Sequence, residues 1–483
     1  MLHSPLVNLA GILDGQPADA VALVDADGEL TYGELAEQVG RVRGGLLAAG
    51  LVADDRLAIV CGNERRFVLA WLGALGAGLV AVPLNPQSPA AELQRELDAV
   101  GPKALVASKG VDAVGDLTQN LLDFDELLAA EPAPVVERED GDLATLLFTS
   151  GTAGAPRAAM LTHGNLRSNL EQLDEAPAPT LEPGEVVYGV LPMYHIFGLN
   201  VVLDGTLRKG GTVVLDDRFD PARALATIAE RKITRVTGPP TLWRSLVDLP
   251  DADPEAFRTV RQAASGAAKL SVDVASAVAE RFGVTLTEGY GLTETSPVVA
   301  AAAGTDAPPG SVGRPIPGVQ VRLVDPAGDD VLIGDEGQIL VRGPNVFAGY
   351  WEDEEATRAA LGPDGWLRTG DIAVVDDDGF LFLVDRAKDL VIVSGFNVFP
   401  AEVEVVLREH PSIEAAAVVG APDDRTGEAV HAYVVRTDDA LDEAAVIDHT
   451  AQRLARYKCP SEVHFVKELP VGLGGKLLRR ALR

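Results

Sequence analysis

Lysine is scarce in this chain: nine occur among 483 residues, within a lysine-plus-arginine total of 41 set against 72 acidic residues. The formal net charge is -31. A field of that sign repels polyanions at long range, which excludes nucleic acid and anionic membrane as bulk partners. Any phosphate ligand must be held by local cations, so a lysine inside a conspicuous motif carries weight. Cysteine is rarer still, with only Cys61 and Cys459. Two such residues make neither a disulfide framework nor a metal cluster, which fits a reducing, cytoplasmic setting.

Long hydrophobic runs are almost missing. One stretch, FVLAWLGALGAGLVAVPL over 67–84, approaches the length of a membrane span, but its glycines and Pro83 divide it. It reads as a buried helix ending around Gly76 to Gly78 and then a short strand, so no integral membrane segment is expected. The start, MLHSPLVNLAGIL, has no basic region ahead of a clean apolar segment, and secretion is not expected.

What is present is alternation. TYGEL, from Thr31, has the form of a capping box and opens a helix running towards Leu47. The runs RLAIVC, LVAVPL, KALVAS, ATLLFT, VVYGVLP, GTVVLD and RVTGPP recur as short buried strands with helical patterns between several of them. This predicts an α/β fold with largely parallel sheets. After about Pro317, VQVRLVD, GQILVRG and IAVVDDDGFLFLVD predict a β-rich, hairpin-built subdomain. From Arg386 on, AEVEVVLREH and DEAAVIDHTAQRLARY predict helices, and IEAAAVVGAP and EAVHAYVVR strands. The charged DRAKD segment marks a boundary, giving a large domain of layered α/β subdomains over 1–385 and a small αβ domain over 386–483.

Several stretches carry chemistry. TSGTAGAPRAAMLTH, from Thr149 to His163, follows a strand with glycines, hydroxyls and one arginine. Closely spaced backbone N–H groups and hydroxyls of this kind can ring an anion, although the Walker spacing is missing. EGYGLTETSP, from Glu288, sets an aromatic between glycines and adds Thr293 and Glu294, oxygen donors of the type Mg²⁺ prefers. WLRTGD, DRAKDLVIVSGFNVFPAEVE and GLGGKLLRRALR complete an ordered series.

From TYGEL to the C-terminus, the series resembles the adenylate-forming superfamily of acyl-CoA synthetases, adenylation domains and luciferases. The resemblance implies an AMP-binding domain, a small mobile C-terminal domain, and activation of a carboxylic acid by ATP and Mg²⁺ followed by transfer to CoA. Thr149, Ser150, Gly151, Thr152 and Gly154 match the phosphate loop, with Arg157 where lysine is usual. Thr293 and Glu294 match the threonine and the Mg²⁺-binding glutamate. Glu288, Gly289, Tyr290 and Gly291 match the strip beside adenine, and Ser265, Gly266 and Ala267 match the segment on its other side. Asp371 and Arg386 match ribose contacts, and Lys388 the hinge. Lys476 matches the lysine assisting adenylation, His195 the gate to the acyl pocket, and Gly395 a position lining the pantetheine tunnel.

The chemistry explains these residue types. Hydroxide is a poor leaving group, so a carboxylate must become a mixed anhydride before a thiol can displace it. That step brings two anions together, and fixed cations must offset the charge developing on the phosphates. The chain departs from the family pattern at Ala153, Arg157 and Ala158, and arginine is not geometrically equivalent to lysine. YHIFGL and VSGFNVFP are most like fatty acyl-CoA ligases, so a medium- or long-chain fatty acid is the expected substrate. Two alternatives stand beside it: an acyl-AMP ligase loading a separate carrier protein, and a non-catalytic nucleotide- or acyl-binding relative. No carrier-protein motif follows Arg483, which favours CoA. A homodimer is left open.

Overall fold

The computed structural model describes residues 7–111, 120–149, 156–177, 182–386 and 390–470, with 479 and 482, and without the side chains of 385, 386 and 401. Ser150, Gly151, Thr152, Gly154, Lys388 and Lys476 lie outside the described residues.

The first sheet runs Ala104–Ala107, Arg56–Val60, Val80–Pro83, Leu143–Thr149 and Arg157–Thr162, parallel except for the last pair. The glycine-rich motif therefore falls between antiparallel strands, with Thr149 opposite Arg157. The second sheet has nine strands. Its parallel heart is Val21–Asp25, Thr212–Leu215, Val186–Gly189, Arg235–Gly238, Gln262–Ser265 and Leu286–Gly291, with antiparallel strands at both edges. Short apolar strands buried on both faces produce this arrangement, and the covering helices supply the second layer.

The near-membrane run divides as its glycines dictate. The helix Arg65–Gly76 is buried from Phe67 to Gly76, and the strand Val80–Pro83 follows in the first sheet. Trp71 satisfies its indole N–H by donating to Asp204 Oδ1 at 2.9 Å. Among the described residues no helix is long and apolar enough to cross a membrane. The capping box is present too: Glu34 N–H donates to Thr31 Oγ1 at 3.3 Å, and Thr31 N–H donates to Glu34 Oε2 at 2.8 Å.

Beyond residue 320 the chain builds an antiparallel sheet from Gln320–Val324, Gly337–Arg342, Leu367–Val375 and Leu381–Arg386. The last sheet comprises Phe396–Val398, Val391–Val393, Gly427–Arg436, Ile413–Asp423 and Glu462–Phe465. It has its own core of Val391, Val403, Val406, Val418, Val434 and Leu454. One sequence reading needs correction. The helix expected over 442–457 spans only Glu443–Ala451, and a short 3-10 turn follows at Arg456–Lys458. The amide of Ala455 leaves the helical ladder to donate to the Glu92 carboxylate of the large domain, at 2.5 Å. A tertiary contact has overridden local propensity there.

Candidate active site

A cavity of about 1260 Å³ lies between the two large sheets, the antiparallel sheet and the small domain. It brings together Thr149, Arg157, His195, Gly266, Ala267, Glu288, Gly289, Tyr290, Gly291, Thr293, Glu294, Asp371 and Gly395, which the sequence scatters over more than half its length. Ser265 stays apart. It is the buried last residue of the strand Gln262–Ser265, and its hydroxyl has no hydrogen-bond partner among the described residues.

The floor of the cavity is the end of the strand Leu286–Gly291 and the turn after it. Tyr290 is buried, and its hydroxyl donates to Asp371 Oδ2 at 2.6 Å, tying the parallel sheet to the antiparallel one. A hydrogen bond to a carboxylate contributes roughly 1.5–3 kcal/mol, enough to fix the ring. Glu288 is held by the Leu270 N–H at 3.1 Å, and burial pushes its carboxyl above the usual carboxylate range. Gly291 is required by space, since a Cβ there would stand 2.0 Å from the Pro297 carbonyl oxygen.

Glu294 is aimed by a residue that motif reading overlooks. The hydroxyl of Tyr350 donates to Glu294 Oε1 at 2.7 Å. Burial and the Glu294 charge both raise the Tyr350 phenol, so it remains a donor. The same ring carries Arg157, whose guanidinium carbon stands 5.8 Å from the ring centre while Nε reaches Asp353 at 3.1 Å. Arg157 is thus already tethered to Asp353 and the Tyr350 ring. Thr293 and Glu294 offer hydroxyl and carboxylate oxygens on one turn, a donor set that fits a hard cation such as Mg²⁺.

His195 is half-buried, and its Nδ1 accepts the Phe197 N–H at 3.3 Å. Burial lowers its pKa to about 4, so the ring is neutral near pH 7. It lies two residues before a π-helical stretch, Phe197–Asp204, a geometry often found at functional sites. Phe197 lies beneath Gly266, where a Cβ would meet the ring at 3.0 Å.

The small domain closes one side. Gly395 has φ +88°, and a Cβ on it would stand 2.9 Å from Pro239 and 3.7 Å from Ala267. Nearby is a charge cluster with no sequence signature. Lys458 pairs with Glu92, and with Glu402 at 2.9 Å, and all three side chains are buried. Arg95 donates to the Arg453 carbonyl at 2.8 Å. Glu96 joins this group; the residue keeps some exposed surface, but its Oε2 is buried and has no hydrogen-bond partner among the described residues. Burial, then the neighbouring Glu92, pushes its carboxyl up to about 8.

The layered fold and this cavity define an adenylate-forming enzyme. The chain belongs to the AMP-binding enzyme family, which matches residues 12–351, with the AMP-binding enzyme C-terminal domain matching 402–476. It is 37% identical over 463 residues to a feruloyl-CoA synthase of Amycolatopsis sp., covering 94% of this chain and 93% of that protein. It is 34% identical over 518 residues to a long-chain-fatty-acid–CoA ligase of Escherichia coli O157:H7, covering 96% and 92%. Among solved structures it is similar to a double mutant of the o-succinylbenzoate CoA synthetase MenE of Bacillus subtilis bound with the product analogue OSB-NCoA. That likeness has TM-score 0.91 and 30% identity, and it covers 99% of this chain and 98% of that one. Adenylate-forming acyl-CoA ligase activity, with ATP and CoA as substrates, follows from this membership.

Proposed function

We propose that the chain is a cytoplasmic fatty acyl-CoA ligase acting on a medium- or long-chain acid, with its domains divided at residues 385 and 386. The observation that carries the reading is the cavity, where the phosphate-loop flank, the Tyr290–Asp371 floor and the Gly395 face of the small domain meet. Similarity to the E. coli long-chain ligase over 96% of the chain supports the acid class. A hydroxycinnamic acid is the second reading, favoured by the 37% identity to a feruloyl-CoA synthase.

In the first half-reaction an acid oxygen forms a bond to the α-phosphorus of ATP and pyrophosphate leaves. Tyr290 lies against adenine beside Gly266 and Ala267, and Asp371 with Arg386 takes the ribose hydroxyls. The 149–157 segment, including Arg157, holds the outer phosphates, and Lys476 stabilises the charge that develops in the transition state. Thr293 and Glu294 would hold Mg²⁺, which when bound would supply Lewis-acid neutralisation of the phosphates. Neutral His195 separates the acyl pocket from the nucleotide without adding a charge.

In the second half-reaction the CoA sulfur bonds to the acyl carbon, the carbon–oxygen bond to AMP breaks, and the thiol proton passes to solvent. Rotation about Lys388 exchanges the Lys476 face for the Gly395 face. The described arrangement suits this second step, because Gly395 stands against Pro239 and Ala267. Mass spectrometry after incubation with MgATP, CoA and a panel of straight-chain, branched and aryl acids tests the reading. Acyl-CoA confined to straight chains of one length band is the expected result. Feruloyl- or coumaroyl-CoA as the principal product would transfer the assignment to the second reading, and acyl-AMP without thioester would point to a carrier protein.

A further inference from the structure

The chain contains seven histidines, and two of them meet on the small domain in a way that the ligase chemistry does not use. The strands Gly427–Arg436 and Glu462–Phe465 run parallel, with His431 opposite Glu462 and Tyr433 opposite His464. Residues two apart on a strand share a face, so His431, Tyr433, Glu462 and His464 all project from one side of the sheet. His431, Tyr433 and His464 line the interdomain cavity.

The nitrogens themselves are aligned. His464 Nε2 stands 3.4 Å from His431 Nδ1, and Glu462 Oε2 stands 3.7 Å from the first and 4.0 Å from the second. A separation of 3.4 Å is long for a hydrogen bond, whose usual range ends near 3.2 Å. It matches what one ion would impose: two nitrogens each about 2.0–2.1 Å from a tetrahedral zinc stand about 3.4 Å apart. Glu462 is the most exposed of the three, at 60% of its side chain, so a small rotation brings its oxygen to the same point. Tyr433 stacks on His464 with ring centres 4.6 Å apart and fixes that imidazole.

A second histidine pair gives the contrast. His410 and His449 have ring centres 5.0 Å apart, closer than the 5.4 Å of His431 and His464. Yet His410 Nδ1 accepts the Ser412 N–H and His449 Nε2 bonds the Val406 carbonyl, so both nitrogens serve the backbone. At His163 and His195, Nδ1 likewise accepts a backbone N–H. Proximity of rings alone is therefore not the mark, and among the described residues only the 431–462–464 group gathers three histidine, cysteine or carboxylate donors within 4.8 Å of one another.

We propose that His431, Glu462 and His464 form a binding site for one divalent first-row transition ion of the zinc, cobalt or nickel kind, distinct from the Mg²⁺ site of adenylation. Two imidazoles and a carboxylate suit such ions, whereas Mg²⁺ demands oxygen. Three protein donors leave one position to water or to a ligand in the cavity. The ion would also bring positive charge to a chain of net charge -31, on the wall that small-molecule anions pass.

The test uses tag-free, chelator-treated full-length chain titrated with Co²⁺ alone, followed by absorption and equilibrium dialysis. The expected result is one equivalent bound with the intense visible bands of a low-coordinate cobalt site, displaced by Zn²⁺ and not by Mg²⁺. His431→Ala and His464→Ala each abolish the bands, Glu462→Gln weakens binding, and His410→Ala leaves it unchanged. Failure to bind one equivalent, octahedral-type weak bands, or binding that survives both histidine changes would each overturn the site. Far-ultraviolet circular dichroism and a melting temperature of each metal-free variant, equal to those of the metal-free parent chain, confirm that they fold.

Discussion

The cavity floor and the interdomain seam solve the same problem in opposite ways. On the floor, Tyr290 is paired with Asp371 and Tyr350 with Glu294, all within the large domain, so these polar groups are satisfied wherever the small domain stands. At the seam, Glu92 meets Lys458, the Ala455 amide meets Glu92, and Arg95 meets the Arg453 carbonyl, each across the domain junction. These pairs exist only in the arrangement described. Pre-paired groups give a rigid template, whereas cross-paired buried charges make closure strongly dependent on each partner.

That contrast can be broken at its strongest point first. Replacing Lys458 with Met leaves Glu92 and Glu402 buried without their cation, and losing one partner of a buried pair costs about 3–5 kcal/mol. The consumption of supplied acyl-AMP by CoA should fall by two to three orders of magnitude while pyrophosphate release is nearly kept. Equal losses in both half-reactions would show that Lys458 serves only its own domain through Glu402.

A floor substitution should behave differently. Tyr290→Phe removes the hydroxyl that fixes Asp371 and should slow both half-reactions alike, by about tenfold, through weaker hold on the nucleotide. Stopped-flow measurement of each step separately decides this, and a loss confined to one step would erase the distinction between floor and seam.

The smallest effect concerns pH. Burial raises the Glu96 carboxyl to about 8, so the closed arrangement keeps a proton that the opened one releases above the ordinary carboxylate range. Opening releases that proton and is therefore favoured as pH rises from about 4.5 towards 8, with no further change above. A fluorescence distance between the domains should lengthen over that window in the parent chain and stay level in Glu96→Gln. A parent chain that is flat across the window would remove Glu96 from the account.

Much of this was readable without coordinates, and the reasons differ by region. Strand runs such as RLAIVC and ATLLFT are short, apolar and bounded by turn residues, so their burial on both faces follows from composition. The motif residues cluster because consecutive parallel strands end at the same edge of a sheet, and a loop from each arrives there. Tyr350 was not legible, because nothing in GYW signals a hydroxyl that reaches Glu294, 56 residues away in sequence. Lys458 and Glu92 are 366 residues apart, and each alone reads as an ordinary surface charge. The shortened helix Glu443–Ala451 has the same cause, since the group that unwinds its continuation belongs to the other domain.

The register at Asp371 has a mechanical meaning. Asp371 pairs with Arg386, the last described residue before 390, across the ladder formed by Leu367–Val375 and Leu381–Arg386. The last described stretch of the large domain before the small one is therefore a hydrogen-bonded strand. The strand that leads towards the small domain and the floor of the cavity are thus one piece of β-sheet, joined beside the carboxylate that Tyr290 grips.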